Sequence, residues 1–442
     1  MRAKPQTAAP VRVLLSAGTA LMLCVPHEFW SNLYGVAFAL SVPAAFFLGG
    51  GRCGRVFRGP IGAAWCVFAL TCALCPLWSA SPAGSLRTAV FYLAGGCLAF
   101  VSANVFHSAE DADVLLRGVT LALLFTALYG LIRRALGADL YGVPIGDRVL
   151  PRLGSTLAHA INYGEFAAMA LPLAFSRALR QDTRARRTLA LSFLALPLTA
   201  LALTYARTGW LALGAAAALG LYACGNNAVR LAALPLVLLP ALPGTVRARL
   251  FSVLDWSDRA ASGRFTLWRE CLAALRANLP LGVGLGTENF VRAYLPFSSG
   301  TLPFSPPHSN MGYLEMFLSL GIPGGTAFLV FFFGIFVRLR RRLRQARGAD
   351  RALTVSVTAS LAGAAAANIP EHLWFYPRIW FFWCVLYGLA LGLTSKEMPS
   401  RAPDRELSPV SLRKSPPARR PQDDTLSPCR PGTHGPADAA VQ

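Results

Sequence analysis

Apolar residues in this chain come in long unbroken runs, separated mostly by short polar connections. Most of the runs approach the ~20 residues that cross a hydrocarbon core. They fall at about 11–26, 33–50, 60–78, 87–105, 114–136, 160–178, 187–204, 208–224, 228–243, 322–338, 353–369 and 375–395. Backbone groups in lipid must find their hydrogen bonds within their own segment, so each run is predicted to be a helix. The pattern predicts an all-α integral membrane protein of about 12 transmembrane helices. The intervals 208–224 and 228–243 are short and are joined by a brief polar turn.

The connections orient the bundle. The densest basic ones are Gly51–Arg58 with three arginines, Arg177–Arg187 with five and Arg338–Arg351 with seven, all on the same side of the predicted topology. Lys and Arg favour the cytoplasmic side, so an N-in, C-in arrangement is expected. The pair Arg133 and Arg134 stands against it at an outer end, and the inner connection His107–Asp113 is acidic. The outer side then receives Gly137–His159 and one segment of about 245–321, between spans nine and ten. Loops of that length among tight turns usually carry function. The domain reading is a polytopic membrane domain over 1–394 and a Pro-, Arg- and Ser-rich cytoplasmic tail over 395–442, expected to be disordered.

Composition agrees with this picture. Of 442 residues, 54% are hydrophobic and 14% charged, well short of the roughly 25% charged residues of a soluble domain. A soluble enzyme, a disordered protein and a disulfide scaffold are thereby excluded. The formal charge of +21 would suggest nucleic acid in a soluble chain. Here the basic residues sit mostly in connections, where they serve orientation, and no nucleic-acid partner is expected. Most of the ten cysteines lie inside apolar runs and read as small core residues rather than metal ligands. The first run has the length of a signal peptide but lacks a small-x-small cleavage site, so a retained first helix is expected.

Several segments beside and within the long outer loop carry chemistry. Leu203-Thr204-Tyr205-Ala206-Arg207-Thr208-Gly209-Trp210 puts an arginine at the outer mouth between two spans. Ser262-Gly263-Arg264-Phe265-Thr266-Leu267-Trp268 opens a short amphipathic helix. Gly282-x-Gly284-x-Gly286, within Pro280–Phe290, is not a dinucleotide loop, because no strand precedes it and no βαβ unit surrounds it. A tight turn back to the membrane is expected. Pro307-His308-Ser309-Asn310 and Gly312-Tyr313-Leu314-Glu315 lead to Gly321-Ile322-Pro323-Gly324-Gly325 and the tenth span.

In this order the motifs resemble the O-antigen ligase and polymerase family of bacterial membrane glycosyltransferases. Leu77-Trp78-Ser79, Arg152-Leu153-Gly154-Ser155-Thr156 and Asn162 add to the likeness, which covers about 75–340. This chain departs from the family pattern in having Ala206 before the arginine and Ser309 between His308 and Asn310. The resemblance implies a glycan donor on undecaprenyl pyrophosphate, an acceptor hydroxyl on lipid A–core or a growing polysaccharide, no metal and no other cofactor. It also implies a site on the periplasmic face of the bacterial inner membrane.

The residues fit that chemistry. A pyrophosphate leaving group develops negative charge, and arginine stays cationic and grips phosphate oxygens with a fork of donors. Arg207 and Arg264 are the expected catalytic cations, with Arg152 binding substrate. His308 is the expected base, since imidazole titrates near neutral pH. Asn310, Trp268 and Glu288 complete the expected substrate contacts. Blander readings exist: an arginine at a membrane mouth is commonly a snorkelling anchor, and a lone outer histidine is commonly a polar loop residue. His159 and His372 are spare histidines on the same side, His372 beside Glu371. Polymerisation and protein O-glycosylation share these motifs. A secondary transporter would need mid-span charges and paired broken helices, of which the sequence has few. A cell-wall glycan polymerase would instead depend on a loop carboxylate such as Asp255 or Asp258.

Overall fold

The computed structural model describes residues 5–48, 59–138, 142–145, 148–224, 244–251, 259–301 and 306–395. In chain order the helices are α1 (Pro5–Cys24), α2 (Asn32–Leu48), α3 (Pro60–Leu74), α4 (Pro82–Val105), α5 (Ala109–Ala135), α6 (Ala160–Leu179), α7 (Arg184–Phe193), α8 (Ala195–Leu203) and α9 (Arg207–Cys224). They continue as α10 (Gly244–Phe251), α11 (Arg259–Ala277), α12 (Thr287–Tyr294), α13 (Gly312–Gln345), α14 (Gly348–Ala367) and α15 (Pro377–Thr394). A short antiparallel hairpin, β1 (Gly142–Ile145) with β2 (Arg148–Pro151), pairs Val143 with Leu150 between α5 and α6.

Helix occupies every apolar interval read from the sequence except 228–243, which lies outside the described residues, as do Asp255, Asp258 and the tail beyond 395. Among the described residues, six helical stretches are long and apolar enough to cross a membrane, including α4, α5, α13 and α15. This is an all-α membrane protein. Boundaries differ where polar residues continue a helix beyond its apolar run. Helix α5 begins at Ala109 because Ser108 caps it, its hydroxyl accepting the N–H of Asp111. The run 187–204 divides into α7 and α8. Helix α13 starts at Gly312, well before the expected 322, and kinks at Gly321, whose φ of 65° favours glycine.

The centre of the bundle is built from small residues. Helices α6, α9 and α14 meet so closely that a Cβ on Gly209 would fall 2.9 Å from the Cα of Gly164, and one on Gly363 2.9 Å from the carbonyl of Ala212. The Ser360 hydroxyl donates to the Met169 carbonyl at 2.6 Å across the same contact. Such close backbone approach and interhelical hydrogen bonds hold these helices together. Helices α4 and α15 pack likewise, Ser102 donating to Val385 O at 2.7 Å, with Trp380 and Trp383 of α15 stacked on each other. One end of the bundle is tied by ion pairs, Arg12 to Asp111 at 2.8 Å and Arg342 to Asp350 at 3.2 Å. The other end carries the candidate site.

Candidate functional site

Arg207 owes its position to a sharp corner. Between α8 and α9, Tyr205 takes a left-handed conformation (φ 51°), uncommon for a residue with a side chain. The corner is held by Thr204, whose hydroxyl accepts the N–H of Ala206 at 3.1 Å. Arg207 therefore stands on the first residue of an 18-residue helix, where unsatisfied N–H groups and the helix dipole already favour an anion.

Arg152 reaches the same corner from the other side. After β2 the chain runs along the end of α8, Leu153 N–H donating to Leu203 O at 3.1 Å, and Arg152 Nε donates to Thr204 O at 2.9 Å. Its loop is pinned by Ser155 Oγ to Thr126 O at 2.6 Å and by Thr156 Oγ1 to Leu23 O at 2.7 Å. Burial pushes the Arg152 guanidinium down to about 10, the nearby charge of Arg249 adds to this, and Arg264 and Arg207 contribute further while Glu371 opposes. It remains a cation at neutral pH. Four arginines thus share one region.

Arg264 is delivered by α11. Leu267, Cys271 and Ala274 form the apolar stripe of that helix and are buried against Phe290, Tyr294, Leu314 and Leu318 of α12 and α13. Arg264 lies one turn before Leu267 on the same stripe, so packing the stripe turns the guanidinium inward. Glu270 secures the helix by accepting from Tyr294 Oη and, at 2.8 Å, from the N–H of Ser299. Arg264 Nη2 ends 3.6 Å from Glu371 Oε2. Glu371 is only 5% exposed; burial raises its carboxyl above the usual range, and Arg264 opposes the rise. Trp268 packs at the edge of the same cluster, its ring 5.4 Å from Phe265.

His308 sits on the turn before α13. Its Nδ1 accepts the N–H of Asn310 at 3.2 Å, which leaves the proton of the neutral ring on Nε2. Asn310 contributes this contact by adopting a left-handed backbone (φ 50°). Glu315 fixes the turn, accepting the N–H of Ser309 at 2.8 Å. Beside His308 stands His372, ring centroids 5.3 Å apart and nearly perpendicular, with Phe375 4.5 Å away. Burial lowers the His308 imidazole to about 4. His372 is depressed in the same direction by burial and by His308. Both rings are neutral at physiological pH.

The two histidine-bearing segments are stitched through Gly312, whose N–H lies 3.0 Å from both Asn368 O and Glu371 O. The glycine-rich turn has a different task from nucleotide binding. Gly282, Gly284 and Gly286 all have positive φ. Val283 and Gly284 donate their N–H groups to Leu318 O and Ser319 O at 2.9 and 2.8 Å. Those are carbonyls freed by the kink at Gly321, while Ile322 N–H donates back to Pro280 O at 2.8 Å. The turn repairs the broken helix and thereby sets the start of α13, and His308 with it. Glu288 follows this turn and accepts from the Ser81 hydroxyl at the head of α4.

Of the residues singled out from sequence, Arg152, Arg207 and Arg264 come together, and His308 with Asn310 lies alongside through Glu371 and His372. Glu288 lies instead on a cavity beside His372. Sequence reasoning missed Arg249, an unremarked residue of α10, and gave no role to Glu371 beyond its place next to His372. The pairing of Glu371 with Arg264 has no sequence signal, since it joins two distant connections. Among the described residues, no group of three or more His, Cys, Asp or Glu side chains is placed to hold a metal ion.

The arrangement can therefore grip an anion with several guanidinium groups next to a pair of neutral imidazoles. Residues 192–329 match the family model described as O-antigen ligase. That segment contains Arg207, Arg249, Arg264 and His308, whereas Arg152, Glu371 and His372 are brought to it from outside. No curated protein matches the chain.

Proposed function

For a chain that belongs through residues 192–329 to the O-antigen ligase and polymerase family, we propose glycan transfer from undecaprenyl pyrophosphate to an acceptor hydroxyl. The transfer takes place at the exoplasmic face of the bacterial inner membrane. The acceptor is lipid A–core or a growing polysaccharide.

The observation that supports this most is the grouping of Arg207, Arg249 and Arg264 around Arg152, with Arg264 paired to Glu371, beside His308 and His372. In the reaction the acceptor oxygen attacks the anomeric carbon of the donor sugar, and the bond from that carbon to the pyrophosphate oxygen breaks. The pyrophosphate leaves with the electron pair, and its new charge is met by Arg207 and Arg264, with Arg152 holding the same group. Removing one such preorganised electrostatic partner typically slows catalysis about 100- to 1,000-fold. Glu371 keeps Arg264 aimed and balances the cluster before substrate arrives.

The acceptor proton passes to His308. Burial keeps that ring neutral, so its lone pair on Nδ1 is present, held by the 3.2 Å contact from Asn310 N–H, which gives way as the proton arrives. A weak base suffices because the hydroxyl becomes strongly acidic as its oxygen bonds to the anomeric carbon. A positioned base of this kind contributes about 100- to 10,000-fold.

The test is transfer by the purified full chain from a synthetic undecaprenyl-pyrophosphate oligosaccharide to lipid A–core, with EDTA present. Arg207→Ala, Arg264→Ala and His308→Ala are each expected to lose transfer at normal expression; wild-type rates in all three would refute the assignment. Chain growth on the donor alone, without transfer to lipid A–core, would identify a polymerase instead.

A further inference from the structure

A second feature lies next to the arginine cluster. A cavity of about 510 Å³ opens between the heads of α2 and α4, the turn before α12 and the 372–380 segment. Its size is that of a small-molecule site. Phe91 and Tyr92 of α4 face it together with Trp374 and Tyr376, and Arg87 and Glu288 stand among its lining residues. Its walls are set by hydrogen bonds rather than by loose loops. Buried Asn289 accepts the N–H of Ser81 at 2.6 Å and donates to Ser85 Oγ at 2.8 Å and to Leu285 O at 2.7 Å, joining the glycine turn to the start of α4.

Two buried polar atoms of the lining residues have no partner among the described residues. His372, 4% exposed, contacts Tyr92 Oη through Nε2 at 3.5 Å, but its Nδ1 has no partner, and neither has Nε1 of Trp374. Buried polar atoms are ordinarily satisfied, so these atoms suit a hydroxylated ligand. Aromatic rings offer a negative face to the C–H face of a sugar, while the ring edges, Arg87 and Glu288 offer polar partners to its hydroxyls. Consecutive residues link the two regions: Glu371 pairs with Arg264, and His372 lines the cavity.

We propose that this cavity is the acceptor subsite, binding the terminal sugar of the acceptor glycan against Phe91, Tyr92 and Trp374 with a hydroxyl on His372. The assignment rests on the glycan-transfer reading above. Arg87 and Glu288 select for a glycan with polar substituents at the mouth, and the hydroxyl that reacts is the one directed past His372 towards the adjoining His308 and the arginine cluster.

The experiment has two arms on the purified full chain. In the first, saturation-transfer difference NMR with deacylated lipid A–core oligosaccharide reads binding without turnover. Wild type is expected to transfer saturation to the sugar, and Phe91→Ala and Arg87→Ala to reduce it at least fivefold. In the second, transfer kinetics are expected to show acceptor KM raised at least tenfold in both variants with donor KM unchanged. Intact thermal unfolding of Arg87→Ala, an exposed position, separates binding from folding. No saturation transfer by wild type, unchanged values in both variants, or a rise confined to donor KM would each overturn the proposal. Sugar binding lost in the variants of a protein that shows no transfer at all would keep the cavity as a glycan site and refute the transfer reading instead.

Discussion

The guanidinium of Arg264, carried by α11, lies 3.6 Å from the carboxylate of Glu371 in the connection between α14 and α15. Glu371 is buried while Arg264 retains some exposure, so the two partners are not equivalent. Removing Arg264 strands a buried carboxylate; removing Glu371 frees a cation that still reaches solvent. Breaking a buried pair from one side is strongly destabilising, up to about 3 kcal/mol for a partly exposed partner.

Arg264→Ala is therefore expected to unfold at a lower temperature in detergent than Glu371→Gln. The double variant should recover part of the loss, because the stranded charge is gone. Thermal unfolding of the three proteins checks this, and strictly additive losses would contradict the coupling.

The histidine pair sets the acid side of the reaction. With His308 lowered to about 4 by burial and the facing His372 depressed in the same direction, transfer should hold steady from neutral pH down through the ordinary imidazole range. It should fall only as pH approaches about 4. Stability has the same sign: the unfolded ring takes a proton below about 6.5 and the folded ring does not, so stability declines between those values and levels off below. A pH–rate profile with its midpoint near 6.5 would contradict the burial of His308.

The interlock between the glycine turn and the kinked helix makes a sharp contrast between glycines. A Cβ on Gly321 would fall 1.9 Å from Pro280 O, and one on Gly282 2.5 Å from Gly321 N. Gly300 also has positive φ but nothing within 4 Å. Gly300→Ala should lose about 1 kcal/mol, the left-handed penalty alone. Gly321→Ala should lose several times more and expose 280–286 to protease. Equal protease resistance in the two variants would count against the docking of the turn.

Close packing of α6 against α9 predicts a similar contrast within one helix. Gly209 touches Gly164, whereas Gly214 of the same helix has open space around it. Gly209→Val is expected to separate the helices and, two residues from Arg207, to abolish transfer. Gly214→Val should leave detergent-extracted protein monodisperse and active. Size-exclusion profiles with transfer assays on both variants decide this.

Much of the architecture was legible because lipid permits few solutions. Runs such as 60–78 and 114–136 had to be helices, and α3 and α5 occupy them. What escaped the pattern was polar backbone that continues or bends those helices. The early start of α13 depends on Gly321 being repaired by N–H groups from Val283 and Gly284, a long-range exchange with no local signature. The hairpin Gly142–Pro151 is four residues per strand, too short to show alternation.

The candidate site divides along the same line. The motifs that resemble the O-antigen ligase and polymerase family pointed to Arg152, Arg207, Arg264 and His308, and their chemistry fits what that resemblance implies, because an anionic leaving group needs permanent cations and a hydroxyl needs a proton acceptor. The sequence could not tell that Arg249 joins them, that Glu371 faces Arg264, or that Glu288 lies with His372 on a separate aromatic cavity. By itself the sequence determined a membrane-embedded helical chain with a cationic, histidine-bearing segment, since hydropathy and ionisation are properties of single residues and short runs. The tertiary structure decided which charges meet, which imidazole lines a cavity and which glycines lock, because burial and pairing depend on backbone contacts between segments far apart in the chain.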